Sequence, residues 1–138
     1  MPQKIALVGH CGPDSSFLRM AVTKAIPGVQ IVAADDDGEL KNVLDAGVDL
    51  VLFNRQLDYG FDDPQGVSVI RKLGRFYPKT KMMLVSNYAD AQAAAIQAGA
   101  LPGFGKREIG GAKVTQLLRD AVADQPAEAD RPTAEAKA

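Results

Sequence analysis

Short apolar runs alternate with longer amphipathic stretches along most of this chain, a pattern that few architectures accept. Ile5-Ala6-Leu7-Val8, closed by Gly9, is the first run. After Gly12-Pro13-Asp14 a helix follows, with Phe17, Leu18, Ala21, Val22 and Ala25 on one face, and Pro27-Gly28 stops it. Val29–Ala33 reads as a second strand, ending in the acidic run Asp35-Asp36-Asp37, and Leu40, Val43 and Leu44 mark a short helix closed by Gly47. Val48–Phe53 is the most hydrophobic strand, as expected of a central strand covered on both faces. A long polar loop runs from Asn54 to Gly66, before Val67, Ile70 and Leu73 at helical spacing. Lys81–Val85 reads as a fourth strand, Asp90–Ala98 as an alanine-rich helix ended by Gly99, and Gly103-Phe104-Gly105 as a weak fifth strand. Val114, Leu117, Leu118 and Ala121 form the face of a last helix. Five strands alternating with five helices predict a parallel sheet with helices on both faces. Ligands in such folds sit at the carboxyl ends of the strands, here Gly9–Asp14, Asp35–Asp37, Asn54–Asp63, Ser86-Asn87 and Lys106.

Composition narrows the chemistry. The chain has 138 residues with one Cys (Cys11) and one His (His10), so neither an intrachain disulfide nor a His-rich metal cage is available. Its length fits one domain, typically about 100–200 residues, with a core that needs no staple. Sixteen basic against seventeen acidic residues give a net charge of −1, without the electrostatic footprint of a dedicated nucleic-acid binder. The N-terminal apolar run is too short for a signal peptide or a membrane span. The expectation is a cytoplasmic domain over residues 1–123, with neither nucleic acid nor membrane as partner. Residues 124–138, rich in Ala, Pro and Glu and without a large apolar side chain, read as a disordered tail.

Lys4-Ile5-Ala6-Leu7-Val8, Asp45-Ala46-Gly47-Val48-Asp49-Leu50-Val51-Leu52, Met83-Leu84-Val85-Ser86, Ala98-Gly99-Ala100 and Lys106, in this order and separation, resemble a response-regulator receiver domain (CheY-like). The resemblance implies an α/β, three-layer flavodoxin-like (βα)5 fold with a five-stranded parallel sheet in the order 2-1-3-4-5. It also implies a phosphorylation site. In that family an acidic pair after strand one and an Asp ending strand three hold Mg²⁺, the strand-three Asp is the nucleophile, and a Ser or Thr and a Lys bind the phosphoryl oxygens. Here the nucleophile position matches Asn54, whose amide has the shape of a carboxylate but is a poor nucleophile. The acidic pair aligns with Gly9 and His10, and Ser86 and Lys106 are retained. Arg107 stands where the family usually has Pro, and the aromatic switch position aligns with Gly103, one place from Phe104. The pattern is that of a degenerate pseudo-receiver.

Each candidate residue has a sharp and a bland reading. Asn54 is expected to hydrogen-bond Lys106 or Ser86, the alternative being a solvated strand end. Lys106 either binds a ligand anion or makes a structural contact, and Ser86 either faces a ligand or caps its strand. The loop Gly9-His10-Cys11-Gly12-Pro13-Asp14 offers backbone N–H groups at a helix N-terminus, though it is neither Gly-x-Gly-x-x-Gly nor a Walker loop. The bland reading is a turn with Asp14 or a neighbour as N-cap. Cys11 beside His10 is either a reactive thiol or an inert one. Asp58, Asp62 and Asp63 form either a cation site or a solvated acidic loop, and Asp35–Asp37 either reach the old metal site or cap the second helix.

From these residues no catalytic group, cofactor or metal site is expected. The leading reading is a phosphorylation-independent signalling module that binds a protein partner or a second copy, through the face of helix four, strand five and helix five. The alternatives are a small-molecule or anion sensor using Gly9–Asp14 with Ser86 and Lys106, or a thiol redox switch at Cys11.

Overall fold

The computed structural model describes residues 3–57 and 60–130, with side chains in the last stretch as far as Ala123. The elements follow in the order β1 (Lys4–Val8), α1 (Gly12–Ala25), β2 (Gln30–Ala34), α2 (Asp37–Ala46), β3 (Leu50–Asn54), α3 (Gly66–Phe76), β4 (Lys81–Val85), α4 (Ala89–Gln97), β5 (Leu101–Phe104) and α5 (Ala112–Asp130). The strands form one five-stranded sheet in the order β2-β1-β3-β4-β5, with parallel pairing throughout. The expected three-layer α/β flavodoxin-like architecture is therefore present.

Side-chain alternation along the strands builds two cores. Ile5 and Leu7, with Leu50, Leu52, Met83 and Val85, pack against α1 and α5. Ala6 and Val8, with Val51, Phe53, Met82 and Leu84, pack against α2, α3 and α4. Leu50 to Phe53 are all fully buried, which is why the most apolar run is the central strand. β1 lies between β2 and β3, so strand order reverses beside it, and the crevice at the carboxyl ends of β1 and β3 is where a site is expected.

Four details differ from the sequence expectation. Phe17, assigned to the core face of α1, is 57 % exposed, because Leu18, Ala21, Val22 and Ala25 already fill the buried arc. β5 begins at Leu101 rather than Gly103, and its pairing slips: Met83 opposes Leu101 while Val85 opposes Phe104. One extra residue is thus accommodated in β5 as a bulge. The polar loop after β3 is tied down: Leu57 N donates to Pro64 O at 2.7 Å, Gly66 N donates to Arg55 O at 2.8 Å, and Leu57 and Phe61 are buried. The backbone of α5 continues past Ala123 to Asp130, through the first part of the segment read as a tail, and residues 131–138 lie outside the described residues. Among the described residues no helix is long and apolar enough to cross a membrane.

Candidate functional site

Asn54 ends β3 with a side chain committed to backbone. Its Nδ2 donates to Gly9 O at 3.0 Å and to Gln56 O at 3.1 Å, and its Oδ1 accepts from Arg55 N at 3.0 Å. The expected bond to Lys106 or Ser86 is not made, since both carbonyls are acceptors that an amide can satisfy and Lys106 is occupied elsewhere. Lys106 Nζ pairs with Asp14 Oδ2 at 2.9 Å, and that ammonium holds the Asp14 carboxyl below its ordinary pKa. Asp14 lies within the first turn of α1, and of the expected caps it is the neighbour that takes the position. The N-cap of α1 is Cys11, which makes no side-chain cap bond, with Gly12 and Pro13 opening the helix.

Gly9 has φ +74, a left-handed conformation that favours glycine. A Cβ built there would collide with the Leu57 side chain, which is only 4 % exposed. The loop after β3 therefore fills the space that a side chain at position 9 would need. His10 turns inward, its Nε2 donating to Leu52 O at 2.8 Å, while Nδ1 is buried without a partner. Burial lowers the His10 pKa, with Lys106 adding to that and the Leu52 bond opposing it. The lowered pKa favours the neutral ring, so His10 offers no imidazolium beside Cys11. Cys11 itself is free and exposed.

Ser86 is 4 % exposed, and its Oγ accepts from Tyr88 N at 3.2 Å, a strand-end cap. Beside it a cavity of about 260 Å³ is bounded by Asn54, Arg55, Ser86, Asn87, Tyr88 and Lys106. The Arg55 guanidinium lies 4.7 Å from the Tyr88 ring centroid, a cation–π contact. The Gly9–Asp14 loop does not line this cavity, and reaches it only through the Asp14–Lys106 pair.

The remaining acids serve helix ends. Asp36 caps α2 by accepting from Glu39 N at 2.7 Å, and Glu39 Oε1 accepts from Asp35 N at 2.7 Å, close to a capping box. Asp37 Oδ2 accepts from Asp62 N at 2.9 Å, which joins the long loop to the start of α2. Asp63 accepts from Lys72, Ser68 and Gln65 N, and these partners, Lys72 foremost, bring its pKa down to about 2. Asp58 lies outside the described residues. Among the described residues no three His, Cys, Asp or Glu side chains gather as a metal site. The donors near Asn54 do not fit Mg²⁺ either: position 9 has no side chain, position 10 is an imidazole turned to Leu52, and position 54 presents an amide whose nitrogen donates.

Gln92 is a structural residue that sequence reasoning missed. From α4 its Nε2 donates to Leu84 O, Ser86 O and Phe104 O, and its Oε1 accepts from Gly103 N. It thereby holds the ends of β4 and β5 together at the bulge. A side chain at Gly103 would collide with Leu84 O, so the position expected to match an aromatic switch admits no aromatic in this backbone, and Phe104 is buried in the core instead.

No protein-family model and no curated protein matches the sequence. Solved structures do match in fold. The signal receiver domain of an HD domain-containing protein from Pseudomonas fluorescens Pf-5 aligns over 94% of this chain and 93% of its own, with 22% identity and a TM-score of 0.77. The receiver domain of the stress response regulator RcsB from Escherichia coli, solved non-phosphorylated, aligns over 91% of this chain and 94% of its own, with 14% identity and a TM-score of 0.67. NtrX from Brucella abortus aligns over 94% of this chain at 14% identity and a TM-score of 0.77, and this chain spans 29% of that protein's length. The fold defined by these similarities is that of a response-regulator receiver domain.

Proposed function

We propose that the chain is a phosphorylation-independent regulatory module of two-component type, a pseudo-receiver that acts by binding protein rather than by catalysis. The observation that carries this reading is the Asn54 amide donating to Gly9 O, at the place where a working receiver brings an Asp nucleophile and a metal-binding acid together. Leu57 adds a second support, since it packs where a carboxylate at position 9 would stand. An amide at 54 lacks the oxygen nucleophile for an acyl phosphate, and nothing at positions 9 and 10 replaces the charge that would hold Mg²⁺. The face of α4, β5 and α5 supports docking by a groove of about 590 Å³, bordered by Ile96, Pro102, Arg107 and Lys113. The test is incubation with Mg²⁺ and a small-molecule phosphodonor, followed by intact mass. The unmodified mass is expected, and a stoichiometric gain of about 80 Da, one phosphoryl group, overturns the proposal.

A second reading, a small-anion sensor, is favoured by one feature: Arg55 and Lys106 line the same cavity as the Ser86 and Asn87 turn. Thermal shift with inorganic phosphate and with nucleotides decides it, since a ligand at 100 times its Kd adds about 2.7 kcal/mol of stability.

A further inference from the structure

Charge is unevenly spread along the chain. Between Asp63 and Asp90 stand five basic residues and no acid, while the rest of the sequence holds eleven basic against seventeen acidic ones. Two of the five are engaged within the fold: Lys72 pairs with Asp63, and Lys81 donates to Ala121 O. Arg71 and Arg75, one turn apart on α3, are not. Among the described residues neither has a hydrogen bond or an ion pair. Like charges at this spacing destabilise a helix. Arg75 suits the last turn, where a cation meets the negative end of the helix dipole, but Arg71 stands a turn earlier and has no such role. Beside them, where β4 and β5 begin, lies a cavity of about 300 Å³, at the end of the sheet away from Asn54. Ile70 and Met82, both buried, give it an apolar lining, and Thr80 brings a hydroxyl without a partner among the described residues. The Tyr77 hydroxyl is occupied by Asp45, itself paired with Lys41, so Tyr77 offers the cavity its ring. Among the described residues no carboxylate lines it.

We infer that this cavity binds a small phosphate monoester, its phosphoryl group held by Arg71 and Arg75 and its organic body against Ile70, Tyr77 and Met82. A guanidinium presents a planar fork that meets phosphate oxygens two at a time. Two such forks carry two positive charges, and a phosphate monoester carries nearly two negative ones near neutral pH, whereas a carboxylate carries one. The Thr80 hydroxyl supplies a further donor beside them. The volume lies at the lower end of the range of about 300–1,000 Å³ found for small-molecule sites, and a few polar groups set in an apolar lining is their usual composition. Other occupants fit less well. A second copy related by a twofold axis would set the arginines against their own equivalents, a like-charge contact. An anionic membrane satisfies the charge but not the concave shape. Binding here adds a ligand input to the proposed module without depending on it, because Asn54 and Lys106 line a different cavity.

The probes are phenyl phosphate, inorganic phosphate and benzoate, each titrated into the ¹⁵N-labelled chain at low salt. Phenyl phosphate is expected to shift the amides of Arg71, Arg75, Thr80 and Gly99, to bind more tightly than either of the other two, and to weaken with added salt. Arg71→Gln with Arg75→Gln should lower its affinity by about tenfold or more, as expected for charge-assisted bonds to a phosphoryl group. Lys79→Gln removes a charge from the same segment without lining the cavity, and should change the affinity by less than about threefold, since an exposed charge acts weakly at a distance. All three positions are exposed, and unchanged thermal melts confirm that the fold persists. No binding of phenyl phosphate, equal binding of benzoate or of inorganic phosphate, shifts centred on Asn54 and Ser86, or an equal loss in Lys79→Gln overturns the inference. A phosphoryl adduct with phenyl phosphate binding intact overturns the phosphorylation-independent module and leaves this cavity standing.

Discussion

Asn54→Asp introduces the residue type that the receiver resemblance would place at this strand end as a nucleophile, and the hydrogen bonds of Asn54 resist it. The Asn54 Nδ2 donates to Gly9 O at 3.0 Å and to Gln56 O at 3.1 Å. An ionised carboxylate has no donor, so the replacement loses both bonds and sets an anionic oxygen against two carbonyl oxygens. Each bond is worth about 0.5–1.5 kcal/mol net, which puts the loss near 2 kcal/mol at neutral pH. The bond that Oδ1 accepts from Arg55 N survives, and Lys106 is already engaged by Asp14. With a urea m-value of about 1–3 kcal/mol/M, the unfolding midpoint should fall by about 1 M. The sign of the pH dependence follows from the same geometry. A neutral carboxyl can donate to Gly9 O and a charged one cannot, so the folded-state pKa of the introduced carboxyl is raised above the unfolded value of about 3.9. Its contribution to stability is then fully present below the unfolded pKa and is lost as pH rises through the folded one. The gap between variant and natural chain should be small near pH 4 and complete near pH 7. Urea unfolding followed by circular dichroism at both pH values, with and without millimolar Mg²⁺, measures it. A variant as stable as the natural chain at neutral pH, or a midpoint that rises with Mg²⁺, overturns this account, because the carboxylate would then have found a cation at this site.

Three further outcomes are expected. His10 is the one histidine, and burial lowers its pKa, so stability should be flat above the unfolded value of about 6.5 and should decline below it until the folded pKa is reached, by at most about 1.4 kcal/mol per pH unit; denaturation midpoints across that window check it, and His10→Gln should remove the slope. Gly9→Ala should destabilise by about 2 kcal/mol, from the left-handed backbone and the Leu57 contact together; adding Leu57→Ala should relieve only the second part, and additive effects in that double-mutant cycle would show that the two positions do not touch. Gln92→Ala should cost about 1–3 kcal/mol by leaving Gly103 N and the strand-end carbonyls without their partner, and hydrogen exchange at Gly103 should accelerate while β1 stays protected.

The layered fold was legible because it depends on binary pattern. Leu50 to Phe53 could only be a strand buried on both faces, and the helical spacing of Leu40 and Leu44, or of Leu118 and Ala121, names the faces that meet the sheet. Features that depend on one close approach were not legible. The β5 bulge lies in Leu101-Pro102-Gly103-Phe104, where proline and glycine blur any period of two, and Gln92 fills it from an alanine-rich helix in which a single glutamine carries no signal. Phe17 sits next to Leu18, so spacing alone places it on the core face, and only the packed arc of α1 turns it outward.

The site divides along the same line. Gly9, His10 and Asn54 could be singled out position by position from the receiver resemblance, but the contacts they make could not. Gly9 accepts the positive φ that brings β1 out of the sheet, and having no side chain it admits Leu57 from a loop much further along the chain. The carbonyl of Gly9 in turn takes the Asn54 amide, which a carboxylate would repel. Each of the three residues suits the conformation that the other two require. Restoring a single acid therefore meets a packed and hydrogen-bonded turn rather than an open crevice. Recovery of metal binding would require changing positions 9, 54 and 57 together, and the non-additivity of those changes is the measurable sign that they form one unit.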